Sequence, residues 1–188
     1  IDGGFLDCIG NSPEGWSGGA LDNSDIAYNT ITNCKDDAIQ MEGDNVNLRI
    51  YGNDITANDG YSALAMAPHL VGPAYVFRNV FRVTAGYGGY AFKLESSPGF
   101  TFYIHNTIDS GQNNDGWEYP GPNQYLYNNI IKTAVNPLYS PDAAGKYNGN
   151  LYFRPDGGPI VRKWNGGPDN YTVTAFRSAT GQEQQGRQ

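Results

Sequence analysis

Short runs of alternating apolar and polar residues recur along this chain, each closed by a turn rich in Gly, Asn or Asp. Ala38-Ile39-Gln40-Met41-Glu42 is one such run, and Gly43 to Asn45 is its turn. A period of two is the pattern of a strand with one buried face. The register returns in GPAYVFRNVF, FKLESSPGFTFYIHNTI and NQYLYNNII, each time with an Asn followed by β-branched or aromatic residues. Aligned on that Asn, the marker positions are Asn29, Asn53, Asn79, Asn106, Asn129 and Asn150, spaced 21 to 27 residues apart. A repeat of that period built from short strands predicts a solenoid. β-Branched and aromatic alternation argues against paired helices. No regular Leu scaffold is present, and the rungs vary too much in length for strict hexapeptides. The expected fold is all-β: a right-handed parallel β-helix with an Asn ladder. Asn tolerates the left-handed backbone of a sharp turn, and its amide can hydrogen-bond to the Asn of the next rung.

Parity assigns the interior columns. Before the Asn these are Ile26, Ile50, Val76, Tyr103 and Leu126; after it, Ile31, Ile55, Phe81, Ile108 and Ile131. On the next sheet the interior pairs are Ile39/Met41, Leu64/Met66, Phe92/Leu94 and Trp117/Tyr119. The rungs run over residues 1–153, with a turn-rich insertion carrying Trp16 at 10–20. Residues 154–188 form the C-terminal part. Within it, 154–171 reads as a Gly- and Pro-rich excursion or hairpin, and Thr172 to Ala179 as a short helix capped by Thr172 and Gly181. The polar tail 182–188 reads as frayed.

Cys8 and Cys34 are one repeat apart. Aligning FLDC with ITNC stacks them, which also sets Gly3 where a ladder Asn would be and Phe5 over Ile31. Neighbouring strands about 4.8 Å apart fit disulfide Cα separations of roughly 4.4–6.8 Å. The two readings are a disulfide and a stacked pair of free thiols. Ile1–Phe5 has no preceding cap, so its open strand edge is expected to be covered by further chain or by another copy stacked head to tail.

Composition narrows the function. The net charge is −7, with only 12 scattered Lys and Arg, which argues against nucleic-acid binding. No apolar run is long enough to insert in a membrane. Gly and Tyr are abundant while charged residues make up 16%, as suits many turns and an aromatic surface.

The stretches DDAIQMEGDNVNLRIYGNDI, GPAYVFRNVF, FKLESSPGFTFYIHNTI and NLYFRPDGGPIVRKWNGG resemble the right-handed parallel β-helix proteins of the pectate-lyase-like superfamily, over about residues 20–181. The resemblance implies the fold, and a chain that continues into further rungs. It points less directly to activity, because that superfamily holds lyases, hydrolases, epimerases and adhesins. The Arg and paired-Asp calcium pattern of a typical pectate lyase is not found at matching positions.

Candidate chemistry lies on the outward face of the Ala38–Glu42 sheet. Parity points out Gln40 and Glu42, then Ala65 and Ala67, then Lys93 and Glu95, then Glu118. The two alanines make a low floor for substrate between polar walls, with Gln40 and Glu118 as further binding residues. Glu42 and Glu95, two rungs apart, fall about 9.6 Å from each other at the strand spacing. Carboxylates roughly 6.5–9.5 Å apart suit inverting hydrolysis, and Lys93 can neutralise a uronate or hold a Glu ionised. A solvated surface would carry the same residues in weak pairs. His69 is a candidate general base overhanging the groove, and His105 a weaker one. Asp36, Asp37 and Asp44 either bind calcium, the one cofactor suggested, or cap turns. Tyr51, Phe77, Ile104 and Tyr127 form a column that is core if it faces in and a sugar-stacking stripe if it faces out. The expected function is a secreted or cell-surface protein that binds a polysaccharide and cleaves it as a lyase or hydrolase. The alternative is a non-catalytic solenoid that is adhesive or filament-forming.

Overall fold

A computed structural model describes the chain except residues 11–20, 59–60, 85–89, 96, 112–115, 141 and 167–170. The insertion with Trp16 lies outside the described residues apart from Gly10. Among the described residues every strand pair is parallel, and three sheets stack their strands rung over rung. Sheet I has seven strands, at Asp2–Gly4, Thr30–Cys34, Asp54–Ala57, Val80–Val83, Thr107–Ser110, Ile130–Thr133 and Leu151–Phe153. Sheet II has seven, at Ile9–Gly10, Ile39–Gln40, Ser62–Ala65, Tyr90–Lys93, Trp117–Glu118, Leu138–Tyr139 and Val161–Arg162. Sheet III has six, at Asp25–Ala27, Leu48–Tyr51, Ala74–Phe77, Thr101–Ile104, Gln124–Tyr127 and Lys146–Asn148. The chain visits I, II and III in turn and meets a ladder Asn before re-entering I. The fold is thus a parallel β-solenoid.

The interior columns follow the alternation. Ile31, Ile55, Phe81, Ile108 and Ile131 stack in sheet I, and Ile50, Val76, Tyr103 and Leu126 in sheet III, all buried. Burying each apolar side chain contributes about 25 cal/mol per Å² removed from water. In the interior, Phe92 packs on Phe81, Tyr103 and Trp117 with ring centroids 4.7–5.2 Å apart. Tyr119 departs from the expected parity. Its backbone is left-handed at φ 47°, so the ring leaves the interior and its hydroxyl donates to the Tyr139 hydroxyl at 3.0 Å.

The ladder forms at the corner between sheets III and I. From Asn53 to Asn150, each side-chain oxygen accepts both the backbone N–H and the Nδ2 of the preceding Asn, at 2.9–3.1 Å. Each Nδ2 from Asn53 onward also donates to a carbonyl of the previous rung, as Asn106 does to Val76. The left-handed turn does not fall on these Asn, contrary to expectation. It falls one residue earlier, at Tyr28, Gly52, Arg78, His105, Asn128 and Gly149, with φ between 55° and 72°. Most of these are not Gly; the ladder bonds on the following residue over-determine the turn and offset its cost. At Gly149 a side chain would also strike Asn128 Oδ1. His105 therefore belongs to a turn column.

The C-terminal part differs from expectation in two ways. The excursion contributes a rung strand, Val161–Arg162, which pairs with Leu138–Tyr139 and is bridged antiparallel to Tyr171. The helix spans Val173–Thr180, with Thr172 accepting from Ala175 N and left-handed Gly181 at its end. The polar tail is not frayed: it lies on the last rung. Glu183 is fully buried and stands where a seventh ladder residue would be. Its Oε1 accepts from Asn150 Nδ2 and the Tyr152 hydroxyl, both at 2.6 Å, and its Oε2 from Asn150 N at 3.2 Å. Burial raises the Glu183 pKa, against the pull of those donors. Arg187 adds a parallel bridge to Leu151.

The first rung is out of its expected register. Asp2 pairs with Thr32 and Gly4 with Cys34, so Gly3 faces Asn33 and not a ladder position. Phe5, expected over Ile31, is 92% exposed. Ile9 pairs with Ile39, which places Cys8 over Ala38. The disulfide Cys8–Cys34 is nonetheless formed, with a Cα separation of 5.5 Å, from the end of one sheet I strand to the start of a sheet II strand. It staples the corner between sheets I and II, where two columns meet.

Candidate functional site

The outward column of sheet II reads Gln40, Ala65, Lys93, Glu118, Tyr139 and Arg162, each in register with the next. This is the face that parity assigned. Lys93 Nζ lies 5.3 Å from the centre of the Tyr61 ring, so the side chain reaches back toward the rung of Ala65. Cation–π attraction holds it there. Arg162 sits over the Tyr139 ring at 4.8 Å, and Tyr119 meets Tyr139 edge on. Glu118 is half-buried beside them.

Carboxylates surround Lys93. Burial acts to lower its pKa, but Asp37, Glu95 and Glu42 outweigh that and leave it raised. Lys93 is therefore held as a cation. Glu42 is half-buried next to Gln40; burial raises its pKa, while the hydrogen bond from Gln40 and the charge of Lys93 act to lower it. Glu95 is exposed, on a left-handed residue at φ 47° that swings it off the sheet. The structure thus brings Glu42, Lys93 and Glu95 within electrostatic reach of one another.

The corner beside this face holds a second column, of which the sequence pointed to Asp36 and Asp37 but not to Asp7 or Ser62. Asp7, Asp37 and Ser62 stack in successive rungs, and Asp36 joins them. Carboxylate oxygens of Asp7, Asp36 and Asp37 all lie within 4.8 Å of one another. Asp37 N donates to Asp7 Oδ1 at 3.2 Å, and the Ser62 hydroxyl donates to Asp37 Oδ1. Burial pushes the Asp37 carboxyl up to about 6, against the Ser62 bond and Lys93. Asp7 is likewise raised by burial. Perturbed carboxyls crowded beside a lysine are the kind of constellation that functional sites use. Asp7 escaped notice because stacking Cys8 on Cys34 shifts its strand by four residues; pairing Ile9 with Ile39 would have found it.

Several expected site residues are placed otherwise. Ala65 is wholly buried and Ala67 nearly so, so the substrate floor is covered. A methyl between longer outward neighbours lies below the surface that they define. His69 does not overhang the groove. It is fully buried at the corner between sheets II and III, with Nε2 donating to the Asn45 carbonyl at 3.1 Å and Nδ1 accepting from Thr101 Oγ1 at 2.9 Å. Burial lowers its pKa, so it is neutral at pH 7 and ties three rungs together. Gly99 is required beside it, since a Cβ would come within 2.8 Å of Nδ1. Asp44 lies near His69, so Asp36 and Asp37 are grouped with Asp7 and not with Asp44. The remaining carboxylates could share a calcium ion, but hydrogen bonds within the group already occupy part of their capacity.

Sheet III presents a different face. Tyr51, Phe77, Ile104 and Tyr127 point outward and are half-buried, so this column is surface and not core. A second outward column, Tyr75, Phe102 and Tyr125, runs parallel to it, with stacked rings 5.5 and 4.7 Å apart. Tyr51 and Phe77 stack at 4.9 Å.

Comparison of the chain with protein families, with curated proteins and with solved structures finds no match. Among the described residues no helix is long and apolar enough to cross a membrane.

Proposed function

We propose that this protein is a carbohydrate-active β-solenoid of the pectate-lyase-like type, secreted or on the cell surface, which binds a polysaccharide across the outward face of sheet II and cleaves it there. The observation that carries this reading is Lys93, held cationic among Glu42, Glu95 and Asp37 on an outward strand. Lys93 would neutralise an acidic group of the substrate or the negative charge that develops in an elimination. Glu42, whose pKa is raised by burial, would exchange the proton, and Glu95 would be the second carboxyl that hydrolysis requires. Asp37 is too buried to touch a sugar; its role would be to keep Lys93 charged. The disulfide supports an oxidising compartment.

One observation favours the rival reading of a non-catalytic adhesive or filament-forming module: the covered alanines leave no open floor. Incubation with a panel of acidic and neutral polysaccharides separates the two. New reducing ends with absorbance near 235 nm identify a lyase, and reducing ends alone a hydrolase. Neither signal on any member, together with long assemblies in sedimentation, would favour the rival.

A further inference from the structure

The two aromatic columns of sheet III do not run on unchanged to the C-terminal end. In register, Tyr125 is followed by Lys146, and Tyr127 by Asn148. At that point the tail folds across, and Tyr127, Lys146, Asn148, Gln182 and Gln184 line an open depression of about 430 Å³. That volume is in the range of roughly 300–1,000 Å³ typical of small-molecule sites.

The polarity of the depression is one-sided. Asn148 Oδ1 accepts from Gln185 N at 3.1 Å, and Gln182 Oε1 accepts from Tyr147 N at 2.8 Å. Each amide oxygen is thus committed to the backbone, which fixes the amide orientation and leaves its NH₂ as the unused end. Lys146 adds an exposed ammonium. The carboxylate in the lining, Glu183, is turned inward onto Asn150 and Tyr152. In a chain of net charge −7, this spot therefore offers a cation and two amide donors, with an aromatic ring at its edge.

We infer that this depression is a binding site for an anionic sugar ring, distinct from the sheet II face, with Lys146, Asn148 and Gln182 holding the acidic group and Tyr127 packing on the ring. A ligand of that class supplies acceptors and negative charge for the donors and a flat C–H face for the tyrosine. A longer glycan would continue over Tyr125 and Phe102. The inference does not depend on cleavage at sheet II.

The test is ¹H–¹⁵N NMR titration of the full chain with a uronic-acid disaccharide, its methyl ester, a sulfated sugar, and acetate as an ion control. The expected result is saturable shifts of the Asn148 and Gln182 side-chain NH₂ signals with the acidic sugars, at least tenfold weaker binding of the ester, and little response to acetate. The uronate binding tighter than the sulfated sugar would name the carboxylate as the recognised group, and the reverse order the sulfate. Lys146→Gln should weaken binding about tenfold with an unchanged melting temperature. Tyr127→Ala should weaken it while the protein keeps its native spectrum, and Glu42→Gln should leave it unaltered. Equal binding of acid and ester, acetate giving the same shifts, or perturbations confined to sheet II would overturn the site. Loss of cleavage activity would bear only on the sheet II reading.

Discussion

Two columns of buried polar residues climb this solenoid at different corners, and they are built on opposite plans. The Asn column between sheets III and I is neutral, and each ladder bond has its donor and acceptor. The Asp7–Asp37–Ser62 column between sheets I and II crowds like charges, and burial raises both carboxyls. A satisfied neutral network rigidifies a fold, whereas charges buried at a cost persist where chemistry or binding uses them. The ladder also shows how a neutral column can end on a charge: Glu183 takes the place of an Asn and supplies its acceptors.

The largest effect should come from the carboxylates around Lys93, on the face beside the charged column. Glu42→Gln and Glu95→Gln should each lower any turnover by about 10²- to 10⁴-fold, the worth of a general acid or base, with little change in stability. Steady-state rates on the responsive polysaccharide measure this. Unchanged rates in both variants would move the chemistry off sheet II.

The ladder gives the next effect. Asn106→Ala removes the acceptor of Asn79 N and Nδ2 and the donor to the Val76 carbonyl. Unsatisfied buried groups cost about 1–3 kcal/mol each, so the three stranded here predict a loss of roughly 3–9 kcal/mol. Urea denaturation reads it, and a loss below 1 kcal/mol would deny the ladder its structural role.

The Asp column should respond with the opposite sign. A carboxyl raised from 3.8 to about 6 binds protons more tightly when folded, so its contribution to stability is full below pH 3.8 and lost as pH rises through 6. That difference corresponds to about 3 kcal/mol of destabilisation at neutral pH. Asp37→Asn keeps the acceptor for Ser62 and should stabilise the protein by up to about that amount at pH 7.5, with the gain vanishing toward pH 3.5. Melting curves across that range check it, and parallel wild-type and variant profiles would locate the titration elsewhere.

The Asn spacing and the two-residue alternation determined the solenoid, its interior columns apart from Tyr119, and the outward placement of Lys93, while Thr172 and Gly181 marked the capped helix. Each is a local consequence: parity sets the face, and two Asn one rung apart meet only when they hold the same position in the repeat. The Cys pair was legible for the same reason, although its register was not. Tertiary structure decided what depends on distant chain segments. The first rung joined its neighbour four residues away from the alignment on Cys, which hid Asp7. The tail settled on the last rung because Glu183 could satisfy Asn150 and Tyr152, and nothing within QEQQGRQ signals that partnership. His69 became structural because Asn45 and Thr101, in the rungs on either side, both reached it. Burial depends on what lies above a residue, so the covered alanines and the raised Asp37 carboxyl belong to the assembled molecule and not to the alternation that placed them.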